Sequence, residues 1–246
     1  MAIYTKSAPI EIFKTLGSTN EEARSRISST GETSPVWILA RHQTNGYGRR
    51  GRAWSQATGD LAASLLLDPD CDRAALGQYS FIAALAVASG IDALAPSSAP
   101  QFKWPNDILI DNKKLAGILL EFIPSAGHNA LIIGIGVNLV NAPDDTEFPA
   151  TRLEAYLREP VMAETLLEGI DRTFWSLVAS WKRQGFGSIR REWISRAANL
   201  GHEITVRLPG ETFQGIFEDI DDNGALILNS AGGRRLVHAG DVFFAS

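Results

Sequence analysis

Gln43-Thr44-Asn45-Gly46-Tyr47-Gly48-Arg49-Arg50-Gly51-Arg52-Ala53-Trp54 is the stretch on which the choice of fold turns. Its segment 46–51 matches G-x-G-x-x-G and comes after an apolar run, residues 36–40, that reads as a strand. A dinucleotide-binding fold requires a helix to begin inside that motif. The next residues are Arg52-Ala53-Trp54-Ser55-Gln56-Ala57-Thr58-Gly59, which have no buried helical stripe. The doubly wound parallel reading therefore fails on context. The stretch is a glycine- and arginine-rich loop instead. Its glycines let the backbone approach a ligand and expose N–H groups, and guanidinium forks suit phosphate or carboxylate oxygens. Taken alone, an arginine cluster of this kind is more often a solvated basic surface loop or a nuclear-targeting-like run.

Outward from the loop, the periodicity predicts short elements. Residues 11–13, 36–40 and 61–67 read as strands, the last one buried. Ser18 stands three before Glu21 and Thr19 three before Glu22, so either pair offers a capping box for a helix over about 20–29. A helix over 72–94 starts at Asp72 and buries Leu76, Ile82, Leu85 and Leu94. Residues 102–104 and 108–110 are short strands around Pro105, and 115–123 and 131–140 are longer ones. Residues 141–151 read as a loop. Leu166, Ile170, Phe174, Leu177 and Trp181 give a helix over 161–181, and a second covers 187–197. Antiparallel hairpins need no crossover helix. The expected fold is α+β: a mixed, mostly antiparallel sheet with flanking helices.

From residue 203 the period becomes two, with strands at 203–208, 212–220, 225–229, 234–237 and 241–244. Pro209-Gly210, Asn223-Gly224 and Gly232-Gly233 between them are hairpin signals. This predicts a small five-strand barrel of about 46 residues, too small to hold a core alone, docked on the larger part. The expected domains are 1–198 and 199–246.

Composition bounds the partners. Of 246 residues, 45% are apolar and 21% charged, which fits a soluble globular chain. Lys and Arg number 23 against 28 Asp and Glu, so a protein that wraps DNA or RNA is not expected. Cys71 is the single cysteine, as suits a reducing cytoplasm. The most apolar run, residues 81–88, falls short of the ~20 residues of a membrane span, and no targeting segment is visible.

Two further segments carry chemistry. Lys103-Trp104-Pro105-Asn106-Asp107 sets a lysine between aromatic residues, partly desolvated on one side, where it can stabilise developing negative charge. On its own, such a lysine is more often one whose stem lies along apolar surface while its ammonium reaches water. Gly134-Ile135-Gly136-Val137-Asn138 is a strand whose glycines admit a ligand or another backbone. His42, His128, His202 and His238 form no metal-ligand pattern, so no structural metal is expected. A nucleophile elbow, a Cys/His pair and a Walker loop are all missing.

Four segments in this order are specific together: Gly17-Ser18-Thr19-Asn20, the 43–54 loop, Lys103-Trp104-Pro105-Asn106-Asp107 with Lys114-Leu115-Ala116-Gly117-Ile118, and Gly134-Ile135-Gly136-Val137-Asn138. The chain resembles the biotin–protein ligases that modify acetyl-CoA carboxylase, over nearly its whole length. The resemblance implies a class II synthetase-like catalytic domain and an SH3-like C-terminal domain. It also implies activation of biotin by ATP with Mg²⁺ to biotinyl-5′-AMP, then transfer to a lysine of the biotin carboxyl carrier protein.

By position, the resemblance puts Ser18, Thr19, Asn20 and Gln43 around the fused rings of biotin. Gly46, Tyr47, Gly48 and Arg49 become the loop over the valeryl chain and acyl phosphate. Arg49 and Lys103 become the catalytic cations, holding carboxylate and α-phosphate together. Arg50 and Arg52 fall to the phosphates, and Trp54 and Asn138 to adenosine. The commonest family loop has arginine at the place of Tyr47 and alanine at the place of Asn45. Bifunctional members carry a DNA-binding helix-turn-helix ahead of the catalytic domain. Here 17 residues precede Ser18, so no DNA role is expected.

The expected form is a monofunctional cytoplasmic ligase, monomer or homodimer. Two other readings stay open at this point: a lipoate or other acyl ligase on the same scaffold, and a non-enzymatic biotin-binding sensor. The loop, with three glycines and no apolar anchor, is expected to be mobile until biotin arrives.

Overall fold

The computed structural model describes residues 7–125, 128–144, 146–230 and 232–244. The larger part is built on a sheet of seven strands: β1 (Ile10–Phe13), β2 (Val36–Ala40), β3 (Leu61–Leu67), β4 (Gln101–Lys103), β5 (Asp107–Ile110), β6 (Lys113–Ser125) and β7 (His128–Val137). Their order is β1-β2-β3-β7-β6-β5-β4. Only the β1–β2 pair is parallel; the other neighbours run antiparallel. The expected mixed, mostly antiparallel sheet is what forms.

Strands β2 and β3 are apolar without alternation because both faces of the sheet are covered. Ala23 and Ile27 of α1 (Thr19–Thr30) pack on one face against Val36, Ile38, Leu66 and Ala130. The opposite face, with Trp37, Leu39, Leu65 and Leu67, packs on α2 (Gln78–Leu94) and α3 (Ala163–Gln184). Residues 73–94 are apolar and long enough to cross a membrane, but 67% of that window is buried inside the protein. Its apolarity is that of a core helix. Asp171 of α3 is buried too, and its Oδ1 accepts hydrogen bonds from the indoles of Trp37 and Trp175, each at 2.8 Å.

Several boundaries differ from the periodicity, each because of a distant contact. The predicted 72–94 helix is broken: Arg73–Ala75 is a 3₁₀ turn and α2 starts at Gln78. The Gln78 amide is recruited elsewhere, donating to the Asp222 carbonyl at 2.8 Å and accepting from the Trp181 indole at 2.6 Å. Helix α4 (Gly187–Ile194) stops before residue 197, because the edge strand β4 captures the following backbone. There Phe102 N donates to Arg196 O and Ala198 N to Phe102 O. Strand β7 ends at Val137 rather than 140. The N–H groups of Leu139, Val140 and Asn141 all turn to one oxygen, Asp60 Oδ1, at 2.8, 2.9 and 3.1 Å. Ser18 takes the N-cap position of α1, but neither capping box forms: the Ser18 side chain makes no cap hydrogen bond.

The C-terminal part holds β8 (Glu203–Leu208), β9 (Glu211–Ile220), β10 (Leu226–Ser230), β11 (Gly233–Val237) and β12 (Asp241–Phe244), all antiparallel, in the order β11-β10-β9-β8-β12. It shares one core with the large sheet through Ile204, Phe217, Leu226 and Val242. The β9–β10 turn is the contact point. Gly224 has φ of +82°, and a Cβ there would lie 2.4 Å from the ring of Phe81. Its carbonyl accepts the Trp104 indole N–H at 2.9 Å.

Candidate active site

A cavity of about 440 Å³ opens between the start of α1, the 43–54 loop, the Lys103 segment and the middle of β6 and β7. It is lined by Ser18, Thr19, Asn20, Gln43, Tyr47, Gly48, Arg49, Arg52, Trp54, Lys103 and Asn138, drawn from segments far apart in the chain. Gly46 and Arg50 are not among the lining residues. Gly46 serves the loop's geometry, since a Cβ there would sit 2.8 Å from both Gln43 Nε2 and Trp54 O. Arg50 sits at the loop tip with φ of +57° and points to Asp241, 2.9 Å away.

One end of the cavity is uncharged. Ser18, Thr19 and Asn20 are each 4% exposed. The Thr19 backbone N–H donates to Gln43 Oε1 at 2.8 Å, and Gln43's own N–H donates to Gln56 Oε1 at 2.8 Å. Buried Ser64 of β3 contacts Thr19 Oγ1 at 2.7 Å and Asn20 Oδ1 at 2.5 Å. Asn20 Nδ2 donates to Glu121 Oε2 at 2.8 Å. Short polar groups held this way can satisfy a small ring bearing both N–H and C=O groups.

The glycines of β7 find their reason here. A Cβ at Gly134 would lie 2.4 Å from Asn20 Oδ1, and one at Gly136 would lie 2.4 Å from the Trp54 indole. Gly136 pairs with Gly117 across the strands, and a Cβ at Gly117 would reach the same indole at 3.2 Å. Two facing glycines thus make a flat bed for Trp54, which lines the cavity from there. Asn138 Nδ2 donates to the Thr151 carbonyl at 3.1 Å, fastening the loop after β7.

The other end is cationic. Arg49 donates to Gly240 O at 3.0 Å and to Asn106 Oδ1 at 3.4 Å, and stands 3.7 Å from Asp241. Burial lowers its pKa, with Asp241 opposing. Arg52 also pairs with Asp241, so three guanidinium groups gather on one carboxylate of β12. Lys103 is 4% exposed, with its ammonium 3.9 Å from Asp107 and against the ring of Phe148. Burial brings its pKa down to about 8, while Asp107 acts to raise it. Asp107 bears on Arg49 as well, so Arg49 and Lys103 face one electrostatic environment. A half-buried arginine and a buried lysine on one cavity wall attract an anion and strengthen their hold as water leaves.

The structure adds residues to the site that sequence reasoning passes over. Asn106, Asp107 and Lys114 lie inside motifs quoted above, and Lys114 pairs with Asp107 at 2.7 Å. Glu121, a charge between apolar strand residues, is a readable signal. Asp241 and Ser64 carry none. The loop also has anchors the sequence does not reveal: Tyr47 OH reaches Glu121 Oε2 at 3.1 Å, and the backbone pairs Tyr47 with Ala53.

Residues 12–138 match the biotin/lipoate A/B protein ligase family, and residues 200–245 match the biotin protein ligase C-terminal domain. A biotin–[acetyl-CoA-carboxylase] ligase of Paracoccus denitrificans is 40% identical over 234 residues, 92% of this chain and 97% of that protein. The corresponding ligase of Mycobacterium tuberculosis is 31% identical, covering 95% of this chain and 88% of its own. Among solved structures, a biotin protein ligase from Aquifex aeolicus in complex with biotin and ATP superimposes with a TM-score of 0.82 at 24% identity. That likeness covers 96% of this chain and 97% of the other.

Proposed function

Because the chain belongs to the biotin/lipoate A/B protein ligase family, we propose that it activates biotin with ATP and transfers it to acetyl-CoA carboxylase. A biotin carboxylate oxygen attacks the α-phosphorus of ATP, and pyrophosphate leaves as biotinyl-5′-AMP forms. The ε-amine of a carrier-protein lysine then attacks the acyl carbon. AMP leaves, the nitrogen loses a proton, and an amide remains. The single observation that carries this reading is one cavity with Arg49 and Lys103 at one end and Ser18, Thr19, Asn20 and Gln43 at the other.

In this reading the uncharged end takes the ureido ring and the cationic end takes carboxylate and α-phosphate. Reactant anions repel each other, and Arg49 and Lys103 offset that repulsion. Each is desolvated, so each stabilises the extra negative charge of the transition state more than it would in water. Gly48, between Tyr47 and Arg49, keeps the loop backbone close to the acyl chain. Arg52, and Arg50 from outside the cavity, attend the departing phosphates. Trp54 on its glycine bed and Asn138 flank adenosine. Among the described residues, no three His, Cys, Asp or Glu side chains come together as a metal site, and Mg²⁺ belongs to this reading as part of the nucleotide substrate.

The working units are residues 1–198 for catalysis and 199–246 as a supporting C-terminal domain, acting in the cytoplasm on the biotin carboxyl carrier protein. The C-terminal match favours biotin over lipoate, since it is to a domain of biotin protein ligases. The test is ATP-dependent transfer of biotin to a purified carrier domain, with lipoate as competitor. Arg49→Ala and Lys103→Ala fold but lose transfer. Normal turnover by both, or competition by lipoate alone, overturns the assignment. Biotin binding without pyrophosphate release makes the protein a sensor.

A further inference from the structure

Glu121 of β6 is absent from the cavity lining, yet two lining residues, Asn20 and Tyr47, converge on it, with Arg24 of α1 reaching it from outside the cavity. Its Oε2 accepts from Asn20 Nδ2 at 2.8 Å and from Tyr47 OH at 3.1 Å, and its Oε1 accepts from Arg24 at 2.7 Å. The side chain is 17% exposed, so these partners supply most of the solvation of its charge.

Chemistry dictates two consequences. A carboxylate only accepts, so the NH₂ end of Asn20 must face it. Ser64 then meets the carbonyl end at 2.5 Å, and the close backbone of Gly134 leaves the amide no room to move off. The polar face Asn20 turns to the cavity is therefore set by Glu121. On its other side the same oxygen holds Tyr47, which belongs to the Gly/Arg loop and lies two residues from Arg49. Burial and the nearby carboxylate both raise the Tyr47 pKa, so the phenol keeps the proton it donates.

Building on the biotin-ligase reading, we propose that Glu121 is a positioning residue that sets the Asn20 amide for the ureido ring and clasps the loop over the acyl-adenylate through Tyr47. One carboxylate thereby couples recognition of biotin to retention of the activated intermediate.

The test measures pyrophosphate release with biotin and ATP, with and without carrier domain, for the parent, Tyr47→Phe, Glu121→Gln and the double variant. Without carrier, the parent makes and retains about one adenylate per site, so release stops after a burst. Tyr47→Phe opens the clasp, the adenylate escapes to be hydrolysed to biotin and AMP, and carrier-free turnover rises several-fold. Glu121→Gln shows the same leak and also raises KM for biotin about tenfold, as loss of a hydrogen bond to a charged group implies. In the double variant the leak is no greater than in Glu121→Gln alone. Additive leaks, an unmoved KM, or a fall in the active fraction with neither parameter changed would overturn the proposal. A parent that releases no pyrophosphate overturns the ligase reading itself, and this inference with it.

Discussion

The Lys103 ammonium lies 3.0 Å from the centre of the Phe148 ring, with Phe243 and Phe244 at 5.9 and 5.8 Å. Phe148 comes from the loop after β7 and the other two from β12, so an aromatic box surrounds a nearly dry cation. The ring faces attract the charge, but they replace water poorly. Asp107 at 3.9 Å is too far for a tight pair, and its near partner is Lys114. Lys103 is thus held charged at a cost, ready for an anion.

The first prediction concerns that cost. The folded pKa of about 8 lies below the ordinary lysine value of 10.5, so the unfolded chain binds this proton more readily. Charged Lys103 therefore penalises the fold below about pH 8, and the penalty fades as pH rises toward 10.5. Lys103→Met keeps the stem and removes the charge. Its Tm at pH 7 will equal or exceed the parent's, while pyrophosphate release falls by about 10²–10³. A melt showing clear destabilisation contradicts this.

A pH profile gives the second. In the proposed reaction the protonated lysine is the active form, so kcat/KM for ATP falls as pH rises through about 8, approaching tenfold per unit above it. The profile is measured from about pH 6.5 to 9.5 at low ATP, spanning both protonation states. A limb that persists in Lys103→Arg must come from another group.

Asp241 supplies the third. Arg49, Arg50 and Arg52 converge on this one carboxylate of the C-terminal sheet. Asp241→Asn leaves three like charges adjacent with no common partner. Without ligand, tryptic cleavage at 49–52 rises several-fold, and biotin with ATP restores protection. Global stability changes little, by about 1 kcal/mol or less, because Asn keeps the side chain's shape and the Arg50 and Arg52 ends of the pairs are exposed to solvent. Unchanged cleavage means other contacts hold the loop.

The glycine bed yields the fourth. Gly136→Ala drives a methyl group to 2.4 Å from the Trp54 indole, which must leave. Overpacking of this kind costs about 1–3 kcal/mol. KM for ATP rises tenfold or more while biotin binding by calorimetry holds, and tryptophan fluorescence reports the displaced ring. Equal losses for both ligands would place Trp54 elsewhere in the reaction.

What the sequence made legible was local. The run 61–67 is a strand with those bounds, and the turn at Pro209-Gly210 falls between β8 and β9 with Gly210 at a φ of +89°. The loop's departure from a dinucleotide motif was readable because a missing helix is a local fact. The start of α2 and the end of β7 were not, since Asp222, Trp181 and Asp60 decide them from far along the chain. The partners of the loop show the same limit. Arg50 and Asp241 are 191 residues apart, and Tyr47 and Glu121 are 74 apart. Motif spacing named the cations but could not say which anions wait on them.

The Trp104 indole donating to the Gly224 carbonyl has a practical consequence. Lys103 is the preceding residue, so the small sheet's turn is masonry behind the cationic wall of the cavity. Chimeras between related ligases that exchange the tail must bring the matching Trp104 and Phe81 surfaces with it. A tail taken alone from a stranger arrives with the wrong keystone.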